Sequence, residues 1–189
     1  MKRIYIILTY SGTMLSRLIK AYTKAEFSHV SIALDENLNQ MYSFGRLKPY
    51  NPFIGGFVHE GINIGTFKRF KKTQTEIFSM MISDEQYKKM QERIKLIKNS
   101  SKTYKFNIIG LFGAGFNVKI HIKKSFYCAE FVKYLLVKAM IKNNLPDIVK
   151  PEDFERMENI RLEYKGLLRE YKVTHKTFEP IDSVNSMIS

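Results

Sequence analysis

Residues 27–44 alternate between apolar and polar side chains in two short runs that are separated by a polar turn. In the first run, FSHVSIALD, the side chains of His29, Ser31 and Ala33 point to one side and the branched apolar side chains to the other. DENLN predicts a turn, and QMYSFG predicts the returning strand. This pattern predicts an antiparallel hairpin.

The rest of the chain mixes strand and helix patterns, which predicts the α+β class. The β-branched run at residues 3–9 and the segment QTEIFSMMI predict two further strands. Thr13 is suited to the N-cap of a first helix, and Ser83 with Gln86 forms a capping-box pattern for a helix that ends near Asn99. Less regular segments complete the prediction: strands in GINIGTF, NVKIHI and GLLREYKV, a short helix in YKFNIIGLFGAGF and at PEDFERM, and a long loop at 45–57.

The length and the cysteine content limit the possible kinds of protein. A chain of 189 residues is suited to one domain, 1–189, with a core at about 3–172 and a polar C-terminal tail. Its single cysteine excludes an internal disulfide. The four histidines lie far from one another and from the cysteine, so no metal-ligand spacing is present, and we expect neither a metal nor an organic cofactor.

The net charge of +13 favours an anionic partner, such as a membrane surface or an acidic polymer. The lysines are spread along the chain and no nucleic-acid-binding motif is present, so we expect no specific nucleic acid partner. The short apolar run at the N-terminus resembles a strand more than a signal peptide, and no window approaches the about 18 apolar residues of a membrane span. The expected location is therefore cytoplasmic.

Cys128 is the residue with the strongest chemical signal. It follows Ser125, a suitable N-cap, and begins an apolar stripe at 128, 131, 132, 135 and 139 in a helix that ends near KNNLP. The first turn of a helix has unpaired N–H groups and a positive dipole, which favour a thiolate. Cys128 is thus either a nucleophile or a small buried side chain of the core.

A nucleophilic thiol requires a base, and the candidates are His29, His59, His121 and His175. His29 shares its strand face with two small residues, which leaves room for a helix that carries a cysteine; the alternative is a structural histidine. A third polar group would orient the imidazole. Ser43 on the neighbouring strand is the preferred candidate, with Tyr42 and Glu60 as alternatives.

Four segments together resemble a known family: LSRLIKAYTKAEFSHVSIALD, MYSFGR, SFYCAEFVKYLL and VKPEDF resemble the circularly permuted branch of the NlpC/P60 (papain-like) superfamily, over roughly residues 4–157. The resemblance implies a small antiparallel sheet packed against the cysteine-bearing helix. It implies Cys128 as the nucleophile and His29 as the general base. The region Tyr42–Ser43 corresponds to the third polar residue, for which His, Glu, Asn or Gln is more typical.

The expected function is therefore that of a cysteine-dependent hydrolase or acyltransferase that acts on an amide or ester bond. The substrate would be a cell-wall peptide, another peptide or a lipid-like molecule, and the loop at 45–57 with Phe53, Ile54 and Phe57 would border the cleft. The alternative is a non-catalytic binding module on the same fold that recognises an anionic polymer or membrane surface. A third reading, a basic nucleic-acid-binding protein, would show steep salt dependence.

Overall fold

A six-stranded antiparallel sheet forms the centre of the fold in the computed structural model. The structure describes residues 1–23, 25–48 and 51–172, without the side chains of residues 15, 22, 23, 48 and 51–53. In chain order the elements are β1 (Lys2–Tyr10), α1 (Met14–Thr23), β2 (His29–Ala33), β3 (Met41–Lys48), β4 (Asn51–Glu60), α2 (Gly65–Arg69), β5 (Gln74–Ile82), α3 (Asp84–Asn99), β6 (Lys105–Phe106), α4 (Ile108–Gly115), β7 (Ser125–Phe126), α5 (Cys128–Lys138) and β8 (Arg161–Leu167). The strand order in the sheet is β4-β3-β2-β1-β5-β8, and the short strands β6 and β7 pair separately. The α+β class and the antiparallel sheet are confirmed.

The strand β1 lies inside the sheet, between β2 and β5. Its residues from Ile4 to Thr9 are buried on both faces, which explains why this segment is a continuous apolar run rather than an alternating one. The antiparallel register places Thr9 opposite His29 and Tyr5 opposite Ala33. The first residue of β2 is thereby held at one end of the sheet.

The two faces of the sheet carry separate apolar clusters. The first cluster packs β-strand side chains against α3 and α5, and its strand members include Ile6, Val30, Ile32, Phe44 and Phe57. The second cluster lies on the opposite face, and its members are Tyr5, Ile7, Ala33, Leu38, Met41, Phe67, Ile77 and Leu168. Since α2 and the chain after β8 cover that second face, the sheet is buried on both sides.

The segment 45–57, predicted as a loop, is part of a long hairpin of β3 and β4. Gly45 pairs with Gly56 and Arg46 with Gly55, and the register shifts between Arg46 and Lys48. A Cβ atom on Gly55 would lie 2.7 Å from the Phe106 side chain, so this glycine allows close packing between β4 and β6. The prediction was wrong because glycines that permit close approach have the same sequence signature as glycines that make turns.

Three other predicted strands are also wrong in position. GINIGTF contains a turn and α2, where Gly65 begins the helix with a φ of +54°. Residues 117–122 form no strand; this segment lies between α4 and the two-residue strand β7. The last strand occupies Arg161–Leu167, earlier than GLLREYKV predicts. Apolar runs of this length fit strand, turn and short helix alike, and tertiary contacts decide among them.

The helix signals in the sequence are more reliable. The Ser83 side chain accepts a hydrogen bond from Gln86 N–H, the Gln86 side chain accepts one from Ser83 N–H, and α3 ends at Asn99 as expected. Ser16 N–H donates to Thr13 Oγ1 at 3.2 Å, so the predicted N-cap of α1 is confirmed. Short helices occur at Ile108–Gly115 and, as a 3-10 helix, at Pro151–Arg156.

Two details of α5 differ from the prediction. Ser125 belongs to β7, and the N-cap of α5 is Tyr127. The helix ends at Lys138, before KNNLP, because Met140 adopts a left-handed conformation with a φ of 58°. The predicted apolar stripe at 128, 131, 132, 135 and 139 is buried throughout and is confirmed.

Among the described residues, no helix combines the length and the apolar character needed to cross a membrane. The predicted polar tail, together with His175, lies outside the described residues, as does the side chain of Phe53.

Candidate active site

Cys128 is the first residue of α5, and its backbone is held by interactions on both sides. Tyr127 N–H donates to Glu130 Oε2 at 3.2 Å, and Tyr127 Oη donates to the carbonyl of Val149 at 2.9 Å. β7 precedes the helix and pairs in parallel with β6, which places Phe126 beside Phe106. Cys128 is only 3% exposed, yet it forms part of a cavity wall. The thiol is therefore shielded from bulk water but open to a molecule in the cavity.

His29 lies between Cys128 and Glu60. Its Nε2–H donates to Glu60, at 3.1 Å from Oε1 and 3.3 Å from Oε2. Cys128 lines the same cavity, close enough to the imidazole for its thiol to raise the pKa of His29. Because Nε2 is engaged by the carboxylate, Nδ1 is the ring nitrogen left for the thiol. The three side chains therefore form one cluster of a thiol, an imidazole and a carboxylate.

Glu60 is the last residue of β4, and its carboxylate is 11% exposed. Ser31 Oγ also donates to Glu60 Oε2 and lies 3.3 Å from His29 Nε2. Burial would raise the pKa of Glu60, but the positive charge of His29, the hydrogen bonds from His29 and Ser31 and the nearby Ser43 hydroxyl outweigh it and lower the pKa. Glu60 therefore remains ionised beside the imidazole.

The same pair changes the acidity of His29. Burial alone would lower the pKa of His29, but the charge of Glu60, the hydrogen bond to Glu60 and the nearby Cys128 thiol outweigh burial and raise the pKa to about 10. The imidazole accordingly holds a proton strongly near neutral pH. This favours a state in which His29 is an imidazolium that faces the sulfur of Cys128 on one side and the carboxylate on the other.

The structure corrects the choice of the third residue. Ser43 is fully buried and lies on the same sheet face as Ser31, but its hydroxyl makes no hydrogen bond of normal geometry, although it faces Glu60 and helps to lower that carboxyl's pKa. Tyr42 points to the other face, where its ring stacks on His59 and Phe57 with centroids 5.2 Å and 5.7 Å away. Of the three candidates, Glu60 is the one that contacts His29.

The other histidines are placed away from the thiol. His59 donates its Nε2–H to the carbonyl of Asn39 at 2.7 Å, so it is engaged at the turn between β2 and β3. His121 is exposed and does not line the cavity. Of the described histidines, only His29 contacts Cys128.

The way in which α5 meets β2 differs from the prediction. The helix packs against the face of Val30 and Ile32, whereas Ser31 and Ala33 face the opposite layer. His29 still reaches Cys128 because β2 and β3 pair only at Ile32↔Tyr42 and Ala33↔Met41. Nearer to His29 the strands are unpaired, and the cavity opens between them.

Gly45 keeps this opening clear. A Cβ atom on Gly45 would lie 3.5 Å from His29 Cε1 and 3.6 Å from Ser43 Oγ. Any longer side chain on this residue would therefore fill the space beside the imidazole. Gly45 itself lines the cavity with His29 and Glu60.

The cavity has a volume of about 240 Å³, and its far wall is polar. Thr13 Oγ1 lies 3.3 Å from Ser11 Oγ and 3.2 Å from Ser16 Oγ, and it accepts a hydrogen bond from Arg46 Nη2 at 3.2 Å. Burial lowers the pKa of Arg46, and the charge of Glu60 partly offsets this. Sequence reasoning missed Arg46 and the hydroxyl group cluster, because these residues meet only through the tertiary structure.

In the described part of the chain, no group of three or more His, Cys, Asp and Glu side chains is arranged to hold a metal ion. No family model, curated protein or solved structure matches the chain. The chemistry of the site therefore has to be inferred from its own geometry.

Proposed function

We propose that the protein is a cysteine-dependent hydrolase or acyltransferase that acts on an amide or ester bond. The observation that carries the proposal is the cluster of Cys128, His29 and Glu60 in the wall of one cavity, in which His29 donates a hydrogen bond to Glu60. A thiol, an imidazole and an orienting carboxylate are the three groups that nucleophilic acyl transfer requires.

In the proposed reaction, His29 takes the proton of the Cys128 thiol, and the sulfur attacks the carbonyl carbon of the substrate. A C–S bond forms, the C–N or C–O bond breaks, and the imidazolium returns the proton to the leaving group. Water, or another acceptor, then loses a proton to His29 and attacks the thioester, which releases the acyl group and restores the thiol.

Two parts of the fold assist this chemistry. The backbone N–H of Cys128 lies in the first turn of α5, where N–H groups have no intrahelical partner, so it is suited to bind the oxyanion. Glu60 holds the imidazole in orientation and stabilises its protonated form. One oxyanion donor is worth roughly 3 kcal/mol of activation free energy.

The circularly permuted papain-like NlpC/P60 fold is part of the same proposal. Its support is the chain order, in which the histidine strand β2 precedes the cysteine helix α5, and the packing of that helix against an antiparallel sheet. The volume of the cavity is suited to a peptide side chain or a short acyl group. A cell-wall peptide, another peptide and a lipid-like molecule are the proposed substrate classes.

The test is the rate of Cys128 alkylation by iodoacetamide as a function of pH, in wild type, His29→Ala and the control His121→Ala. Because Cys128 is the only thiol, the readout is unambiguous. We expect rapid labelling near pH 6.5, where an ordinary thiol with a pKa of about 8.5 is almost fully protonated. This labelling should be lost in His29→Ala and kept in His121→Ala.

Trapping of the acyl-enzyme completes the test. Wild type and Cys128→Ala are incubated with 4-nitrophenyl esters and 4-nitroanilides, and the protein mass is measured. An added acyl mass in wild type alone supports the proposal. Slow iodoacetamide labelling of wild type, His29→Ala and His121→Ala alike would overturn the proposal and would favour the binding module.

A further inference from the structure

A second cavity adjoins the catalytic one and is lined by four cations. Its volume is about 440 Å³, and the cations are Arg17 on α1, Arg69 at the end of α2, and Lys71 and Lys72 in the turn that follows. We call the cavity that these four residues line the cationic cavity. The rest of its lining contains no carboxylate.

The positive charge is concentrated locally. Within the described parts of the chain, none of Arg17, Lys71 and Lys72 forms an ion pair. Like charges brought together by the fold repel one another, and a bound anion removes this repulsion. A phosphate group matches such a site, since it carries up to two negative charges and accepts hydrogen bonds from arginine and lysine.

The two cavities share a wall. Ser11 lines both the cationic cavity and the cavity that contains Cys128 and His29. The chain turns beside it, at Gly12 with a φ of +67°, and the segment that follows contributes Thr13 and Ser16 to one cavity and Arg17 to the other. A single molecule can therefore place an anionic group in one cavity and a carbonyl group in the other.

We propose that the cationic cavity binds a phosphate group of the substrate whose amide or ester bond is presented to Cys128. This inference rests on the proposed function for the identity of the substrate, but the binding site itself does not depend on catalysis. A local cluster of four cations beside the cleft favours a small phosphorylated molecule over a nucleic acid, which would require an extended basic track.

The first experiment measures binding by isothermal titration calorimetry, with Cys128→Ser protein so that no turnover occurs. The probes are N-hexanoyl-O-phosphoethanolamine, N-hexanoylethanolamine, which lacks only the phosphate, and inorganic phosphate. We expect the phosphorylated amide to bind and its uncharged counterpart to bind at least about tenfold more weakly.

Charge reversal locates the site. Lys71→Glu/Lys72→Glu should weaken binding of the phosphorylated amide by about tenfold or more, since two attractive charges become repulsive. The matched control, Lys88→Glu/Lys95→Glu, changes the net charge equally on exposed positions of α3 that line neither cavity. It should change binding by less than about twofold.

Several outcomes would overturn the site. These are equal weakening by both double variants, equal binding of the charged and uncharged amides, or no binding of the phosphorylated amide. A single-stranded DNA oligonucleotide serves as a further probe. If it binds more tightly than the phosphorylated amide, and both double variants weaken its binding equally, the charge belongs to a nonspecific surface. Binding of inorganic phosphate, if Lys71→Glu/Lys72→Glu abolishes it, supports the site and shows that free phosphate suffices. Its absence, with the amide still bound, shows that the apolar part is also needed.

Protection of Cys128 tests the link between the two cavities. In wild type, the phosphorylated amide should slow iodoacetamide labelling, and inorganic phosphate should not. Binding without protection would overturn the role of the cavity as a substrate subsite. A thiol that is unreactive in every protein, with phosphate-dependent binding intact, would instead reject the proposed function and leave the anion site standing.

Discussion

The carboxylate of Glu60 lies 3.1 Å from His29 Nε2, although the two residues lie on strands that are separated in the sheet by β3. This contact makes the imidazole of His29 a bridge between a carboxylate and the thiol of Cys128. It also places a partly buried ion pair in the wall of a cavity, where the pair can serve chemistry as well as structure.

Replacement of Glu60 by Gln should reduce the reactivity of Cys128. The amide keeps the shape of the side chain but removes the charge that raises the pKa of His29, so less of the imidazolium–thiolate pair forms. A neighbouring opposite charge is worth about one to three pKa units, so labelling near pH 6.5 should slow by roughly tenfold or more. The control is Glu92→Gln on the exposed side of α3. An unchanged pH profile in Glu60→Gln would show that the carboxylate does not act through His29.

Replacement of Ser43 by Ala should have little effect on Cys128. The buried hydroxyl makes no hydrogen bond of normal geometry, so its loss leaves no partner unsatisfied. We expect a change in labelling rate of less than about twofold and a free energy of unfolding that is unchanged or higher by about 1 kcal/mol or less. The measurements are iodoacetamide kinetics and urea unfolding. A loss of labelling as large as that in Glu60→Gln would restore Ser43 as the orienting residue.

The stability of the protein should depend on the protonation of His29. The pKa of His29 rises from 6.5 to about 10 on folding. The contribution of its protonation to the free energy of unfolding is therefore fully present below about pH 6.5 and is lost as the pH rises through about 10. The difference in free energy of unfolding between wild type and His29→Gln should therefore shrink as the pH rises over this range. Urea unfolding at several pH values measures it, with His121→Gln as the control. A difference that is constant with pH would show that the imidazole is not protonated in the folded protein.

Glu60 has the opposite dependence. The pKa of Glu60 is lowered on folding. The contribution of its ionised carboxylate to the free energy of unfolding is therefore present at pH values above the ordinary pKa of 4.5, and it is lost as the pH falls through the lower pKa of the folded protein. The difference between wild type and Glu60→Gln should therefore decrease on acidification, as measured by urea unfolding below about pH 5. If that difference grows instead, the ionised carboxylate destabilises the fold.

Replacement of Phe131 by Ala should weaken the packing of α5 against the sheet and lower the free energy of unfolding. The Phe131 ring packs against Phe44 and Phe57, with centroids 5.0 Å and 5.9 Å away, and it is fully buried. Loss of such a side chain costs about 3–5 kcal/mol. The control on the same helix is Val137→Ala, which is 53% exposed and should change the free energy of unfolding by less than about 0.5 kcal/mol. A similar cost for the two variants would contradict the packing of α5.

Local patterns in the sequence were sufficient to predict several parts of the fold. The capping box of Ser83 and Gln86, the alternation in β2 and the buried stripe of α5 all follow from contacts within one element, and each is confirmed. The position of Cys128 at the start of a helix belongs to the same class. These features depend on helical and strand periodicity, which the sequence records directly.

The hairpin of β3 and β4 shows where local patterns are insufficient. Its glycines and prolines predicted a loop, yet Gly45 and Gly55 sit in paired strands where β6 and the imidazole of His29 approach closely. Whether a glycine serves a turn or a close contact depends on which distant element packs there, and a single sequence does not record this.

The sequence by itself determined which side chains could react: one thiol at a helix start, a histidine at the beginning of a strand, and a short set of possible third groups. Only the tertiary structure decided that Glu60 rather than Ser43 contacts His29, and that α5 meets the apolar face of β2. The physical reason is register. The pairing of β4 with β3 brings Glu60 alongside Met41, and the early end of pairing between β2 and β3 opens the cavity in which the thiol, the imidazole and the carboxylate meet.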